Sequence, residues 1–343
     1  MVTVQSIQLR SYQIPFCEPF QTSWGTFLNR KGFVIEISDR LNWMGENIGL
    51  ENIGLGEAAP LDGFGMESLI ETEQALREAQ RSLINTKIET LSDIENLLTK
   101  YNRTPAAKHG IELGLVNLLA QKQGMTLSQL LANLCFGVIR DRVAVNTVIG
   151  AIAPELAATK AKEYIDQGYR CLKIKVGTND FELDLRRIEA VRSQVGNAIQ
   201  IRIDANQGWS VSEAIANLKK LEFLQIEYVE QPVAAANLIG MAEVRRSQSI
   251  LVAADESVNN LQQLQQVIKA QAADIIILKP MALGGILTAH RAAVIAFQAG
   301  LDVVVTTTID GAIARQAAFD LAAALPIKRA CGLATGHLLN ENI

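Results

Sequence analysis

Three acids in this chain stand where chemistry is expected. Asp204, Glu230 and Asp255 each close a short apolar run, in the segments IRIDANQGW, IEYVEQP and LVAADES, and lie 26 and 25 residues apart. Lys173 and Lys175 alternate with apolar neighbours in CLKIKVG, and Lys279 ends the run IIILKP. Parallel strands covered on both faces are apolar throughout, so charge at their ends needs a reason. Three carboxylates with little else suit a hard cation. Magnesium fits best, because it takes oxygen ligands in octahedral geometry and keeps waters that a substrate can displace. The histidines, His109, His290 and His337, lie outside these motifs, which disfavours a histidine-held zinc or iron. A single strand-end acid is well explained as a helix cap or a solvated charge; three at matching ends of successive strands are not.

The lysines carry a second argument. Residues two apart in a strand project to the same face. Leu172, Ile174 and Val176 need the apolar face, so Lys173 and Lys175 are expected to point the other way, into the interior. Two ammonium groups about 7 Å apart in a partly dry site repel, and each is expected to lower the pKa of the other. That favours a lysine acting as a base. Lys279 is read either as a third working group or as an ion-pair partner of the metal carboxylates.

These side chains meet only if larger elements bring them together. Apolar runs at 143–149, 171–176, 199–205, 226–230, 251–255, 275–279 and 301–307 end every 24–29 residues, with amphipathic stretches such as 154–167 and 181–195 between them. Seven such units over 140–325 predict a parallel (β/α) barrel, whose C-terminal strand ends converge on one mouth. A doubly wound sheet is the alternative; its nucleotide-binding forms lose support because no GxGxxG follows a strand and no GxxxxGK[ST] occurs. The first third reads differently. Strands are predicted at 2–10, 32–38 and 54–60, then helices at 66–84, 88–98 and 106–124, the last with Ile111, Leu115, Leu118 and Leu119 at helical spacing. Strands followed by a block of helices suggest a separate α+β domain. Within GENIGLENIGLGE, residues 46–50 are repeated as 51–55; the repeat is too short for a solenoid and is expected to lengthen the turn before Gly56.

Composition bounds the rest. With 343 residues, 49% hydrophobic and 20% charged, the chain buries enough surface to fold and fills two domains, or one large barrel with an addition. Aromatic residues are only 5%, so the core is aliphatic. A net charge of −4 argues against nucleic acid as a partner. Cys17, Cys135, Cys171 and Cys331 show no CxxC spacing, against a zinc knuckle or a disulfide scaffold. The opening MVTVQSIQLRSYQIPF alternates and carries charge, unlike a signal or transit peptide. No uncharged apolar run reaches the ~18 residues a membrane span needs. A cytoplasmic location with reduced thiols is expected.

The ordered set KxK, D-A-N, E-Q-P, D-E-S and L-K-P resembles the enolase superfamily, muconate-lactonising subgroup, over nearly the whole chain. The resemblance implies an α/β fold, a (β/α) barrel of the modified TIM type with an N-terminal α+β capping domain. The capping domain would span 1–125, completed by the tail 330–343, and the catalytic barrel 126–329. It implies magnesium on Asp204, Glu230 and Asp255, with Lys175 as base, Lys173 keeping its pKa low and Lys279 stabilising the anion or lying over a ring as a cation. PFQTSWG (19–25) and GLGEAAPLDGFG (54–65) look like substrate-covering loops, which places Phe20, Trp24 and Phe64 over a small-molecule carboxylate substrate. Asn206 joins the substrate-binding set.

Two later segments narrow the subgroup. Dipeptide epimerases carry an Asp-x-Asp motif on the eighth strand, whereas ACGLATGHLL (330–339) has no acid and resembles the o-succinylbenzoate synthases. TTTIDGAIAR (306–315) resembles their seventh-strand segment, with Asp310 where Glu is commoner. Thr306, Thr307 and Gly311 are expected to meet a substrate carboxylate or to cap a helix. The implied reaction is dehydration of 2-succinyl-6-hydroxy-2,4-cyclohexadiene-1-carboxylate to o-succinylbenzoate, through a metal-stabilised enediolate. The alternatives are N-succinylamino acid racemisation or dipeptide epimerisation by the same lysines, a muconate-type cycloisomerase, and a barrel used only for binding.

Overall fold

The computed structural model describes residues 1–22, 25–40, 53–61 and 65–340. Its first part contains β1 (Val2–Thr3), β2 (Ser6–Thr22), β3 (Gly25–Ser38), β4 (Ile53–Ala58), α1 (Leu69–Ser82), β5 (Lys87–Ile88), α2 (Leu91–Leu98), α3 (Pro105–Lys122) and α4 (Leu127–Asn133). β2, β3 and β4 form an antiparallel sheet in that order, and β1 pairs with β5. The strand expected at 2–10 is therefore divided: β1 leaves for β5, and β2 runs on far past residue 10 to hairpin with β3. Residues 41–52, most of the tandem repeat, lie outside the described residues; 53–55 enter β4.

The helix starts are written locally. Ser68 with Glu71, Thr90 with Asp93, and Thr126 with Gln129 form reciprocal capping boxes, pairing amides that a first turn leaves open. Pro105 opens α3, where a missing N–H costs nothing. The short α4 lies beyond the helices expected from the apolar spacing, and its TLSQ box following Gly124 is a readable start signal.

α3 lies directly on β4. A Cβ on Gly54 would sit 1.9 Å from the Gly114 carbonyl oxygen, and one on Gly56 1.9 Å from that of Gly110; only glycine permits such an approach. The helix is buried on nearly every side, Ile111, Leu115, Leu118 and Leu119 together with Leu113 and Val116. It shows no single apolar stripe because β4 takes one face while the barrel helix Ile286–Gln298 contacts another.

The second part alternates strand and helix: β6 (Thr147–Ile149), α5 (Pro154–Asp166), β7 (Cys171–Lys175), α6 (Phe181–Val195), β8 (Gln200–Asp204), α7 (Val211–Leu221), β9 (Ile226–Glu230), α8 (Leu238–Arg246), β10 (Leu251–Ala254), α9 (Leu261–Ala270), β11 (Ile275–Leu278), α10 (Ile286–Gln298), β12 (Asp302–Val305) and α11 (Ala312–Ala324). β6 to β12 form one parallel sheet in chain order. A doubly wound sheet would leave two open edges. Here both edges meet one segment, through the parallel bridges Val145 to Cys331 and Thr306 to Gly332, so residues 331–332 close the barrel in the eighth-strand position. Inside lie Tyr228, Ala253, Ile275, Ile277 and Val304; Leu172, Ile174, Ile201, Ile203 and Val229 belong to the larger core that includes the helix faces. The tail then returns to the capping sheet, with Leu339 bridging Phe16. Among the described residues, no helix is long and apolar enough to cross a membrane.

Candidate active site

Cross-strand register assembles the mouth. Lys175 stands opposite Asp204, and Asp204 opposite Glu230, so three candidate residues lie in a row across β7, β8 and β9. Asp255 follows one residue after β10, whose Ala253 pairs with Glu230. The apolar neighbours Leu172 and Ile174 are fully buried, and both lysines project to the interior as their spacing requires.

The lysines and acids interlock. Lys173 Nζ lies 3.0 Å from Asp204 Oδ2 and 2.8 Å from Glu230 Oε1. Lys175 Nζ donates to the same Asp204 oxygen at 2.7 Å and to Asn206 Oδ1 at 2.6 Å. Asn206 Nδ2 donates to Glu256 Oε1 at 3.1 Å. Across the mouth, Lys279 Nζ donates to Asp255 Oδ2 at 2.5 Å. Asp204, Glu230 and Asp255 are all buried.

Charge sorts these groups. Burial alone raises the Asp204 pKa, but Lys173 and Lys175 outweigh it and carry the carboxyl well below its ordinary range. Glu230 is pushed up to about 7, by burial first and then by the negative charge of Asp204 and of Asp255. Lys173 differs from expectation. Burial favours its neutral form, yet Asp204 and Glu230 hold its pKa well above the ordinary lysine value. At Lys173 the expected lowering is overridden because two carboxylates lie within 3.0 Å of its nitrogen.

Among the described residues, no group of three or more His, Cys, Asp or Glu converges tightly enough to form a ready-made metal cluster; the acids are turned onto ammonium groups. Their chemistry nevertheless fits a divalent cation. All three offer hard oxygen donors without histidine or thiol beside them, and the mutual repulsion that raises Glu230 is what a cation between them relieves.

The other acid of the IEYVEQP segment is committed elsewhere. Glu227 accepts from Arg202 Nε at 2.6 Å and from Arg329 Nη1 at 2.6 Å. Arg202 also lies over the Tyr228 ring, 4.6 Å from its centroid. Glu256 stays at the mouth through Asn206.

Sequence reasoning missed Gln231. Its fully buried side chain accepts from the amides of Asp255 and Ser257 at 3.0 and 3.2 Å and donates to Val233 O at 2.9 Å, fixing the ends of β9 and β10 to each other. Its φ of +39°, with +42° at Asn206 and +69° at Gln207, concentrates left-handed backbone at the mouth, where strain is tolerated if surroundings enforce it. The E-Q-P motif was the available signal.

The other candidates are spread more widely. Thr306 Oγ1 donates to Gly332 O at 2.9 Å, and the Thr307 and Thr335 hydroxyls are 2.9 Å apart, so both threonines face the closing segment. Gly311 donates its amide to Glu57 Oε1 at 2.6 Å, and a Cβ there would meet that carboxylate; it sits at the contact between capping sheet and barrel. Phe20 lies in β2 opposite Phe27. Trp24 and Phe64 lie outside the described residues.

Comparison with known proteins gives the same frame. The model of the Enolase C-terminal domain-like family matches residues 156–342. The chain is 32% identical over 324 residues to L-Ala-D/L-Glu epimerase of Bacillus subtilis strain 168, covering 92% of this chain and 84% of that protein. It is 39% identical over 209 residues to o-succinylbenzoate synthase of Thermobifida fusca, covering 60% of this chain and 63% of that one. The solved dipeptide epimerase from Enterococcus faecalis V583, complexed with Mg and the dipeptide L-Leu-L-Tyr, superposes with a TM-score of 0.88 at 30% identity, covering 99% of this chain and 92% of that one.

Proposed function

We propose that this chain, which belongs to the enolase C-terminal domain-like family, is an o-succinylbenzoate synthase in menaquinone or phylloquinone biosynthesis. Asp204, Glu230 and Asp255 would hold magnesium. When bound, the ion would supply positive charge at the substrate carboxylate.

The chain's own groups then divide the work. Lys175 takes the proton α to the carboxylate, since it is the more open of the pair, its side chain 33% exposed against 14% for Lys173. Lys173, held between Asp204 and Glu230, keeps positive charge beside the substrate. Lys279, on the opposite side, stabilises the anion as it forms. The proton leaves with the ring hydroxyl as water, and the ring becomes aromatic.

The observation that carries this reading over its relatives is the closing segment. Residues 330–339 contain no acid, and where they meet the end of β12 the side-chain polar contacts are made by threonine hydroxyls. An ammonium group such as a dipeptide's has no charged partner on that segment, whereas a succinyl ring acid needs none. The higher identity to a synthase supports the reading. The longer alignment with an epimerase supports the second reading, an N-succinylamino acid racemase or dipeptide epimerase using Lys175 and Lys279 on opposite faces.

The deciding measurement is kcat/KM on one magnesium-loaded preparation for the cyclohexadiene carboxylate, an N-succinylamino acid and L-Ala-L-Glu. Efficient o-succinylbenzoate formation with poor dipeptide epimerisation is expected. A preference for either isomerisation, with α-proton exchange in deuterium oxide, would replace the synthase reading while leaving the metal and lysine roles standing.

A further inference from the structure

Polar residues from all three strands of the capping sheet link to the turn between β12 and α11, Glu57 and Arg30 directly and Tyr12 through Glu57. Tyr12, on β2, donates to Glu57 Oε1 at 2.6 Å. Glu57, on β4, accepts from the amides of Gly311 and Ala314 at 2.6 and 3.0 Å, in the first turn of α11. Arg30, on β3 and only 1% exposed, donates Nε to Ile309 O at 2.9 Å, Nη1 to Pro60 O at 2.6 Å and Nη2 to Ala59 O.

Arg30 is costly to bury. A guanidinium taken out of water is compensated only by good geometry, and among the described residues its ion-pair partner, Asp310, is 3.9 Å away. Asp310 is itself committed to Thr308, accepting from its hydroxyl at 2.5 Å and its amide at 3.2 Å. The Arg30 charge is therefore solvated chiefly by main-chain carbonyls from two separate places: the end of β4, and the turn that follows Thr306 and Thr307. The planar fork of arginine suits several acceptors at once in a way a lysine does not. Ile309, one of those acceptors, has φ +57°, an unfavourable conformation for a β-branched residue that must be enforced by its surroundings.

We propose that Arg30 is a positioning residue: by binding Ala59, Pro60 and Ile309 together it sets the register of the capping sheet over the Thr306–Thr307 side of the mouth, and so governs substrate binding. Asp310 acts through the same turn, shaping it without touching substrate. The inference rests on the functional reading only in taking the mouth as the substrate site.

The test uses the full-length, magnesium-loaded protein with Arg30→Met, Arg30→Lys and Asp310→Asn. Hydrogen exchange is followed at 53–61 and 302–315, with Cys171–Lys175 as the internal control, and kinetics are measured with whichever of the three substrates above the wild type converts. Arg30→Met is expected to speed exchange in both capping and turn segments, leave β7 unchanged, and raise KM about tenfold with kcat within about threefold. Arg30→Lys should fall between Met and wild type. Unchanged exchange, or a lowered Tm with KM unaltered, would overturn the proposal and leave Arg30 a purely structural clamp. If Arg30→Met does not fold, Arg30→Lys and Asp310→Asn decide by the same two readouts. If the wild type converts none of the substrates, the functional reading fails, and the exchange pattern alone decides for or against Arg30.

Discussion

Two regions of this molecule hold buried acids that are compensated in opposite ways. At the mouth, Asp204, Glu230 and Asp255 face the ammonium groups of Lys173, Lys175 and Lys279. Around α3 and the capping contact, the partners are backbone amides at helix starts: Glu57 on α11, Glu67 on Ala106 and Ala107 of α3, and Glu112 on Leu287 of α10. A raised pKa alone does not separate the two classes, since Glu230 and Glu112 are both pushed up to about 7, each by burial first. The compensating partner does. A helix amide is fixed and neutral, so the acid it holds is a joint. An ammonium group on a four-carbon stem can turn away or give up a proton, so the acid it holds is free to serve chemistry.

The sharpest way to break this contrast is at the mouth. Lys175→Ala should lower kcat by about 10²-fold or more while leaving magnesium and product binding nearly intact, because a base acts chiefly in the transition state. Near-normal turnover would move the base elsewhere. Glu230→Gln comes next, with magnesium affinity reduced by about tenfold or more in a calorimetric titration; unchanged affinity would remove Glu230 from the metal set.

The joints should respond in stability instead of rate. Glu112 keeps its proton in the folded state at pH values where the unfolded chain has lost it. Its raised pKa therefore makes folding stability fall as pH rises from about 4.5 through 7. Glu112→Gln retains an acceptor for Leu287 and removes that loss. The variant should match wild type in urea below pH 4.5 and exceed it at pH 8 by at most about 3 kcal/mol; parallel pH profiles would contradict the assignment. Smaller still, Glu67→Ala leaves the Ala106 and Ala107 amides without their acceptor and should cost about 2 kcal/mol, read as a shifted denaturation midpoint with unchanged kcat. A loss of turnover at constant stability would place Glu67 in the wrong class.

Sequence alone determined what depends on local spacing. Period-two alternation decides which face a strand residue takes, so the inward direction of Lys173 and Lys175 and the recurrence of acids at strand ends were readable, and with them the barrel and its mouth. Capping boxes at Ser68, Thr90 and Ser210 set helix starts by the same short-range logic. Tertiary structure decided whatever depends on distances between strands. That Lys173 is held protonated by two acids, that Glu227 belongs to Arg202 and Arg329, that Gln231 joins two strand ends, and that residues 331–332 close the barrel all follow from register and closure. So does the placement of Arg30, three of whose four carbonyl partners lie 29 to 279 residues away. No periodicity within one segment encodes such a distance, because it is fixed only when every strand between has taken its place.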